Sequence, residues 1–286
     1  MLRKVIRPVL SSSREGEIID LAEAVAEEYA PDGRLNPVSI VEENGITLSF
    51  NGYGNSFDGM LEHRRGRFHI YCNIDRVEQI DSSRARFTLG HEIGHYFIDE
   101  HRNALASGKA PAHGSRCEYE SDLLVEAEAD LFASHLLMPS RQFLKLAHSS
   151  PIGLGGILHL SGKFAASVTS TAIRYVRSDL VPCAVLKWAD QGLQWKWLST
   201  ETFRARFRKT VDRVDQLPWD CPTRKALTRT ESPKMGFFEA GTTAAAWFPF
   251  VDHYHFRNII FIEQAVSLGR FGVLTFLYPE SGGLNC

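Results

Sequence analysis

The chain has 286 residues, 44% of them hydrophobic and 23% charged, with a formal charge of -2, a folded-protein composition that excludes disordered, collagen-like and coiled-coil classes. At about 150 residues per domain, the length predicts two domains, each large enough for its own core. The near-neutral total argues against general nucleic-acid binding, yet it sums unlike halves: residues 1–145 carry 16 basic and 23 acidic groups, net -7, and residues 146–286 carry 16 and 11, net +5.

In chain order, MLRKVIRPVL interrupts its apolar run with Arg7 and Pro8, which is not a signal-peptide core. Residues 14–30 place Ile18, Leu21, Ala22, Val25 and Tyr29 at helical spacing, with Ser13 as the expected N-cap and Pro31-Asp32-Gly33 as the stop. Ile40 to Ile46 reads as a short helix ending at Asn44-Gly45; TLSFNGYG and GRFHIYCNI then alternate as strands, two or three of them, antiparallel. Ser82-Ser83 opens a helix through RARFTLGHEIGHYFI, residues 103–117 read as a mobile loop, and a second long helix is expected at about 121–137, stopping at Pro139. Residues 157–177 read as two short helices around Ala166-Ser167, the length and pattern of a helix-turn-helix unit. From Pro182 onward CAVLKWA, GLQWKWLS, NIIFIEQ and FGVLTFLY read as strands, with a basic helix expected from Glu201 to Val214. The fold class is therefore α+β, divided as residues 1–145, a helical segment 146–180 and a β-rich α/β domain 181–286.

The chemistry-bearing motif is His91-Glu92-Ile93-Gly94-His95. Side chains four apart share one helix face, so His91 and His95 can direct ring nitrogens at one Zn²⁺. Glu92, one residue round the turn, can reach a water at the metal without ligating it, take its proton as general base and hand it to a leaving amine. Gly94 costs a helix interior about 1 kcal/mol relative to Ala, and is expected where a neighbouring element comes close. A catalytic zinc needs a third protein ligand, for which two residues compete. His101 stands ten residues after His91, the metzincin spacing, but Ile98 occupies the position where that signature turns sharply on Gly. Glu126, in Glu126-Ala127-Glu128-Ala129-Asp130, is the stronger candidate. Asp130 lies on the same helix face as Glu126 and can accept the outer N–H of a ligating His, whereas Glu128 points elsewhere and is expected in solvent.

The run from Arg86 to His95, with Glu126-Ala127-Glu128-Ala129-Asp130-Leu131-Phe132-Ala133 and Leu136-Leu137-Met138-Pro139 after it, resembles the ImmA/IrrE family of zinc metallopeptidases over roughly residues 15–180. The resemblance implies a minimal gluzincin, a small antiparallel sheet on an active-site helix, with zinc held by His91, His95 and Glu126, and with Glu92 catalytic. It also implies a protein substrate, a helix-turn-helix repressor cut in response to stress or mobile-element induction. An extended substrate pairs in such enzymes with the sheet edge beside the zinc, and GRFHIYCNI is the expected edge. Some members carry a GAF-like sensory domain, which the resemblance offers for residues 181–286.

Elsewhere the signals are weaker. Asp252-His253-Tyr254-His255 has metal-binding spacing but lacks a third ligand, and reads as a polar strand edge. FRARFRKTVDR, with Arg204, Arg206, Arg208, Lys209 and Arg213, reads as a solvated helix face, and is the place where the basic half would contact nucleic acid. The helix-turn-helix-like segment has only Lys163, Arg174 and Arg177 as cations, which points to packing rather than DNA reading. Trp195 and Trp197 alternate on one strand, as core residues or as the wall of a ligand pocket. Five widely spaced cysteines (Cys72, Cys117, Cys183, Cys221, Cys286) without a C-x-x-C pair, and no apolar run of membrane-spanning length, predict a reduced, cytoplasmic chain with no membrane contact. The alternative function is a non-catalytic regulatory or sensory protein that keeps a metallopeptidase fold and binds a ligand, a protein or nucleic acid.

Overall fold

A computed structural model describes residues 10–30, 35–112, 114–115, 123–228, 237–251 and 254–280. Cys117, Cys286, Pro31-Asp32-Gly33 and the Asp252-His253 pair lie outside the described residues, as do the side chains of Tyr254 and His255. The chain is α+β. Its elements are α1 (Ser12–Tyr29), α2 (Pro37–Glu43), β1 (Thr47–Asn51), β2 (Gly59–Arg64), β3 (Arg67–Asn73), α3 (Ile74–Val77), α4 (Ser83–Phe97), α5 (Asp99–Ala106), α6 (Leu124–Leu137), α7 (Ser140–His148), α8 (Leu154–Phe164) and α9 (Val168–Arg177). They continue as β4 (Ala184–Ala189), β5 (Gly192–Leu198), α10 (Glu201–Arg206), α11 (Pro222–Leu227), β6 (Phe237–Thr243), α12 (Ala244–Trp247), α13 (Tyr254–Arg257), β7 (Ile260–Ser267) and β8 (Val273–Pro279). Two compact units result: Met1–Lys145 with Ser161–Ser167, and Leu146–Leu160 with Val168–Cys286.

In the first unit, α6 packs against both α1 and α4. The apolar stripe of α1 buries Ile18, Ala22, Val25 and Ala26, and Leu89, Ile93 and Phe132 join it in one core with Ile40 and Ile70. Each of the Ile, Val, Leu and Phe side chains among them contributes about 1.5–3 kcal/mol on leaving water. The helix starts follow side-chain capping: Ser11, rather than the expected Ser13, accepts from the Arg14 amide, and Ser82 accepts from the Ala85 amide at 3.0 Å to start α4.

The three-stranded sheet has the order β1-β3-β2, with β1 parallel and β2 antiparallel to β3. Two expectations are corrected here. The sheet is mixed, and GRFHIYCNI, which is β3, is its central strand, so that β1 and β2 are the edges. Alternation in a sequence reports which face of a strand is buried and says nothing about its lateral neighbours. The strand that displaces β3 from the edge, β2, holds Glu62, His63 and Arg64 and closes a hairpin onto β3 through Arg65 (φ 52°) and Gly66 (φ 77°), a two-residue turn with both φ values positive but without the usual Asn-Gly signature.

Residues 99–106 form α5, with Leu105 buried, so the first residues of the loop expected at 103–117 are helical instead. The basic helix expected from Glu201 to Val214 stops at Arg206. Beyond it the chain runs beside β5, with the Leu193 amide donating to the Asp212 carbonyl and Lys196 Nζ donating to Thr210 Oγ1 at 3.2 Å. Phe207 and Val211 enter the core instead of following a helical period.

The second unit is built on a five-stranded antiparallel sheet of order β5-β4-β8-β7-β6. Its core holds Trp188, Phe207, Trp247, Phe248 and Phe261. Under α11, the buried Glu263 carboxylate accepts from the Thr223 amide, the Thr223 hydroxyl and Trp247 Nε1, each at 2.9 Å, which meets the hydrogen-bonding demand of an acid taken out of water. Among the described residues no helix is long and apolar enough to cross a membrane, and Cys72, Cys183 and Cys221 are free and buried.

Candidate metal centre

His91, His95 and Glu126 come together from two helices. The histidines are one turn apart on α4, and Glu126 lies in the first turn of α6, all three buried. The Nε2 atoms of the two histidines are 3.1 Å apart, and Glu126 stands 3.3 Å from His91 Nε2 through Oε2 and 3.4 Å from His95 Nε2 through Oε1. Tetrahedral ligands about 2.0–2.1 Å from one ion lie roughly 3.3–3.4 Å from each other, so the two ring nitrogens and the two carboxylate oxygens, each oxygen beside one ring, are close to the spacing of ligands around one ion. Two imidazoles and a carboxylate are also the donor types that zinc takes. The field is negative: burial opposes charge on His91, but Asp130 and Glu126 outweigh it and hold its pKa well above the ordinary histidine value.

Close approach of α6 to α4 makes this convergence possible. A Cβ on Gly94 would stand 3.2 Å from Phe132 Cβ and 3.3 Å from the Ala129 Cα, and one on Gly90 would meet Ala133 Cβ at 3.4 Å. Gly94 thus has the close neighbour that its mid-helix position predicts. On the outer sides of the rings, Asp130 Oδ1 is 2.9 Å from His91 Nδ1.

His101 returns to His95, but to the ring nitrogen that faces away from Glu126: the two Nδ1 atoms are 3.1 Å apart. The turn needs no left-handed residue, because Ile98 sits in an extended conformation (φ -74°, ψ 110°) that breaks the helix and starts α5. Burial and the adjacent His95 push the His101 pKa down. Glu128, expected in solvent, is buried: it lies 3.1 Å from His101 Nε2 and accepts from Arg14 of α1 at 2.8 and 3.0 Å. The helical wheel that pointed Glu128 away from the metal side pointed it at α1 and α5, which a single helix cannot foresee.

Glu92 is 1% exposed, and β2 lies over it: a Cβ on Gly59 would stand 2.7 Å from Glu92 Oε1 and 2.5 Å from Thr88 Cγ2. Gly59 is held there through its neighbour Asp58, whose buried carboxylate pairs with Arg76 and with Arg84 at 2.8 Å. Burial works against that carboxylate's charge, but the two guanidinium groups outweigh it and lower its pKa. Ser115 bridges the edge of β2 at Gly59, its amide donating to the Gly59 carbonyl at 2.9 Å and its hydroxyl to Glu92 Oε1. Neither Gly59 nor Ser115 carries a sequence signal for such a place. From Met60 to Arg64, β2 has no further strand partner among the described residues.

The other sequence candidates have contacts within their own surroundings. Arg206 stacks on Phe256 at 3.7 Å, Lys209 on Phe250 at 4.9 Å, and Arg213 pairs with Asp215. Arg177 stands 5.5 Å over the Trp197 ring. Lys163 and Arg174 are on α8 and α9.

Comparison with known proteins adds a likeness over part of the chain. No curated protein matches the chain. A solved structure of a Mycobacterium tuberculosis transcriptional regulator superposes with a TM-score of 0.51 over 93% of this chain and 78% of that one, at 12% identity, which is a likeness of fold. Residues 78–172 match the family model described as the IrrE N-terminal-like domain, Peptidase_M78; this segment includes α4 and α6 with His91, Glu92, His95 and Glu126. Over residues 78–172, then, the chain is similar to the ImmA/IrrE family.

Proposed function

We propose that this protein is a zinc-dependent endopeptidase acting on a helix-turn-helix transcriptional repressor. The observation that carries the reading is the convergence of three donor residues, His91, His95 and Glu126, within ligand spacing of one another, with Glu92 one residue from the first. Zinc bound there supplies a Lewis acid that polarises the scissile carbonyl and makes water acidic. Glu92 takes a proton from the attacking water as its oxygen bonds to the carbonyl carbon, and returns that proton to the amine nitrogen as the C–N bond breaks. Asp130 accepts from His91 Nδ1–H and keeps the Nε2 lone pair turned inward. The β2 edge from Met60 to Arg64, rather than β3, offers amides and carbonyls to an extended peptide. The likeness of fold to a transcriptional regulator of M. tuberculosis supports a role in transcription control, and we place that work in the cytoplasm, in a stress or mobile-element response. The second unit's sheet, whose strands lie in the order second, first, fifth, fourth, third along its own chain, supports a GAF-like sensory domain.

The test is incubation of the zinc-loaded protein with the helix-turn-helix regulator encoded nearest to its gene. One discrete cut, lost on chelation and in Glu92→Gln while zinc stays bound, is the expected result; cutting by Glu92→Gln at the wild-type rate overturns it. The burial of Glu92 beneath Gly59 and Ser115 favours a second reading, a non-catalytic regulator with a peptidase fold. A stably folded chain that takes up no zinc would select that one.

A further inference from the structure

The two histidines on α4 are supported in different ways. His91 Nδ1 meets a carboxylate directly, Asp130, at 2.9 Å. His95 Nδ1 meets another imidazole, that of His101, at 3.1 Å; His101 Nε2 lies 3.1 Å from Glu128 Oε2, and Arg14 holds the same carboxylate with Nε at 3.0 Å and Nη2 at 2.8 Å. Glu128 is two residues from both Glu126 and Asp130, so it leaves α6 on another face, and the α5 imidazole spans the gap to His95.

Hydrogen counting decides how this chain of contacts runs. Between the facing Nδ1 atoms of two neutral imidazoles only one proton fits. The Glu128 carboxylate can only accept, so the nitrogen facing it, His101 Nε2, must carry a proton. A neutral His101 then has a bare Nδ1, an acceptor, and the Nδ1 of His95 must be the donor. That leaves the lone pair of His95 on Nε2, the nitrogen facing His91 and Glu126. The reverse arrangement would put a lone pair of His101 against the Glu128 charge and a proton on the His95 nitrogen that faces the metal group. We propose that His101 and Glu128 are positioning residues for the metal centre: through one intervening imidazole, the Glu128 charge fixes His95 in the tautomer and orientation that ligate a divalent cation. This rests on the zinc reading of the site, and it makes His101 a support of that site rather than a ligand in it.

The test uses the full chain and zinc itself. Long-range proton–nitrogen NMR of the zinc-loaded wild type should find the His95 proton on Nδ1 and the His101 proton on Nε2; a His101 proton on Nδ1, or no ring proton on His95 Nδ1, overturns the proposal. Competition with a chromophoric chelator should give His101→Phe about 10–100-fold weaker zinc binding, the usual effect of losing such a support. His101→Asn, whose amide oxygen can replace the lost acceptor, should stay within about 5-fold of wild type. Equal affinities for wild type and His101→Phe sink the proposal alone, because zinc is then bound without this support. A wild type that binds no zinc removes the zinc reading and this inference together. A wild type that binds zinc with the expected tautomers, yet cuts no repressor, removes the peptidase reading and leaves the positioning role standing.

Discussion

The contact of α4 with α6 can be tested by adding one methyl group at a time. Gly90 and Gly94 lie on the same face of α4, and each gains about 1 kcal/mol of helix propensity on replacement by Ala. What differs is the space. At Gly90 the new Cβ meets Ala133 Cβ at 3.4 Å, Ala133 Cα at 3.5 Å and Leu137 Cδ1 at 3.6 Å, ordinary contact distances, so Gly90→Ala should stabilise by about 1 kcal/mol. At Gly94 it meets Phe132 Cβ and Cδ1 at 3.2 Å and the backbone Cα of Ala129 at 3.3 Å. Backbone cannot rotate away, and overpacking of this kind costs about 1–3 kcal/mol, which cancels or exceeds the propensity gain. Gly94→Ala should therefore be neutral or destabilised by up to about 2 kcal/mol. Because Ala129 precedes Asp130 and follows Glu128, zinc binding should weaken roughly 10-fold as well. Urea titration of the metal-free chain and chelator competition for zinc measure the two effects. Equal stabilisation by both substitutions, with zinc affinity unchanged in Gly94→Ala, would refute the steric argument.

Further outcomes follow from other contacts. Gly59→Ala places a Cβ 2.7 Å from Glu92 Oε1; displacing that carboxylate by a fraction of an ångström should slow cleavage about 10–100-fold with zinc affinity little changed, and a parallel loss of zinc would show that β2 acts on the ligands instead. Glu23 has its pKa lowered to about 2, because the His135 and Ser140 hydrogen bonds outweigh the burial that opposes them. Its folded value is the depressed one, so its contribution is present above the unfolded value near 4.5 and is lost as the pH falls toward 2. Discounted for partial exposure, Glu23→Gln should cost about 1–2 kcal/mol at pH 7 and flatten the acid limb of the stability curve; the same acid limb in both proteins would contradict this. Asp58→Ala removes a buried carboxylate from Arg76 and Arg84, which retain 18% and 24% side-chain exposure. The arginines can thus recover water, and the expected loss is about 2–3 kcal/mol, below the roughly 3–5 kcal/mol of a fully buried pair, with a shift in urea midpoint as the readout.

The local parts of this protein were legible in one dimension. Two histidines at i and i+4, a serine ahead of α4 and a stripe of apolar residues on α1 all act within a single element, where 3.6 residues per turn fixes which side chains share a face. The glycine at 94 was legible as well, because a mid-helix glycine is unfavourable unless something needs the space. What pairs with what across elements was decided only in the folded chain. The alternation of GRFHIYCNI is the same for a central and an edge strand; the hairpin at Arg65-Gly66 determined that β2 takes the edge beside Glu92. Helix periodicity turned Glu128 away from Glu126, and the packing of α1 and α5 converted that direction from solvent into a contact with Arg14 and His101. His101, whose spacing offered a metal ligand, was carried by the extended break at Ile98 to the outer face of His95. Sequence spacing thus determined which donors could share a helix face, while the side of each ring that meets a partner depended on the approach of three helices.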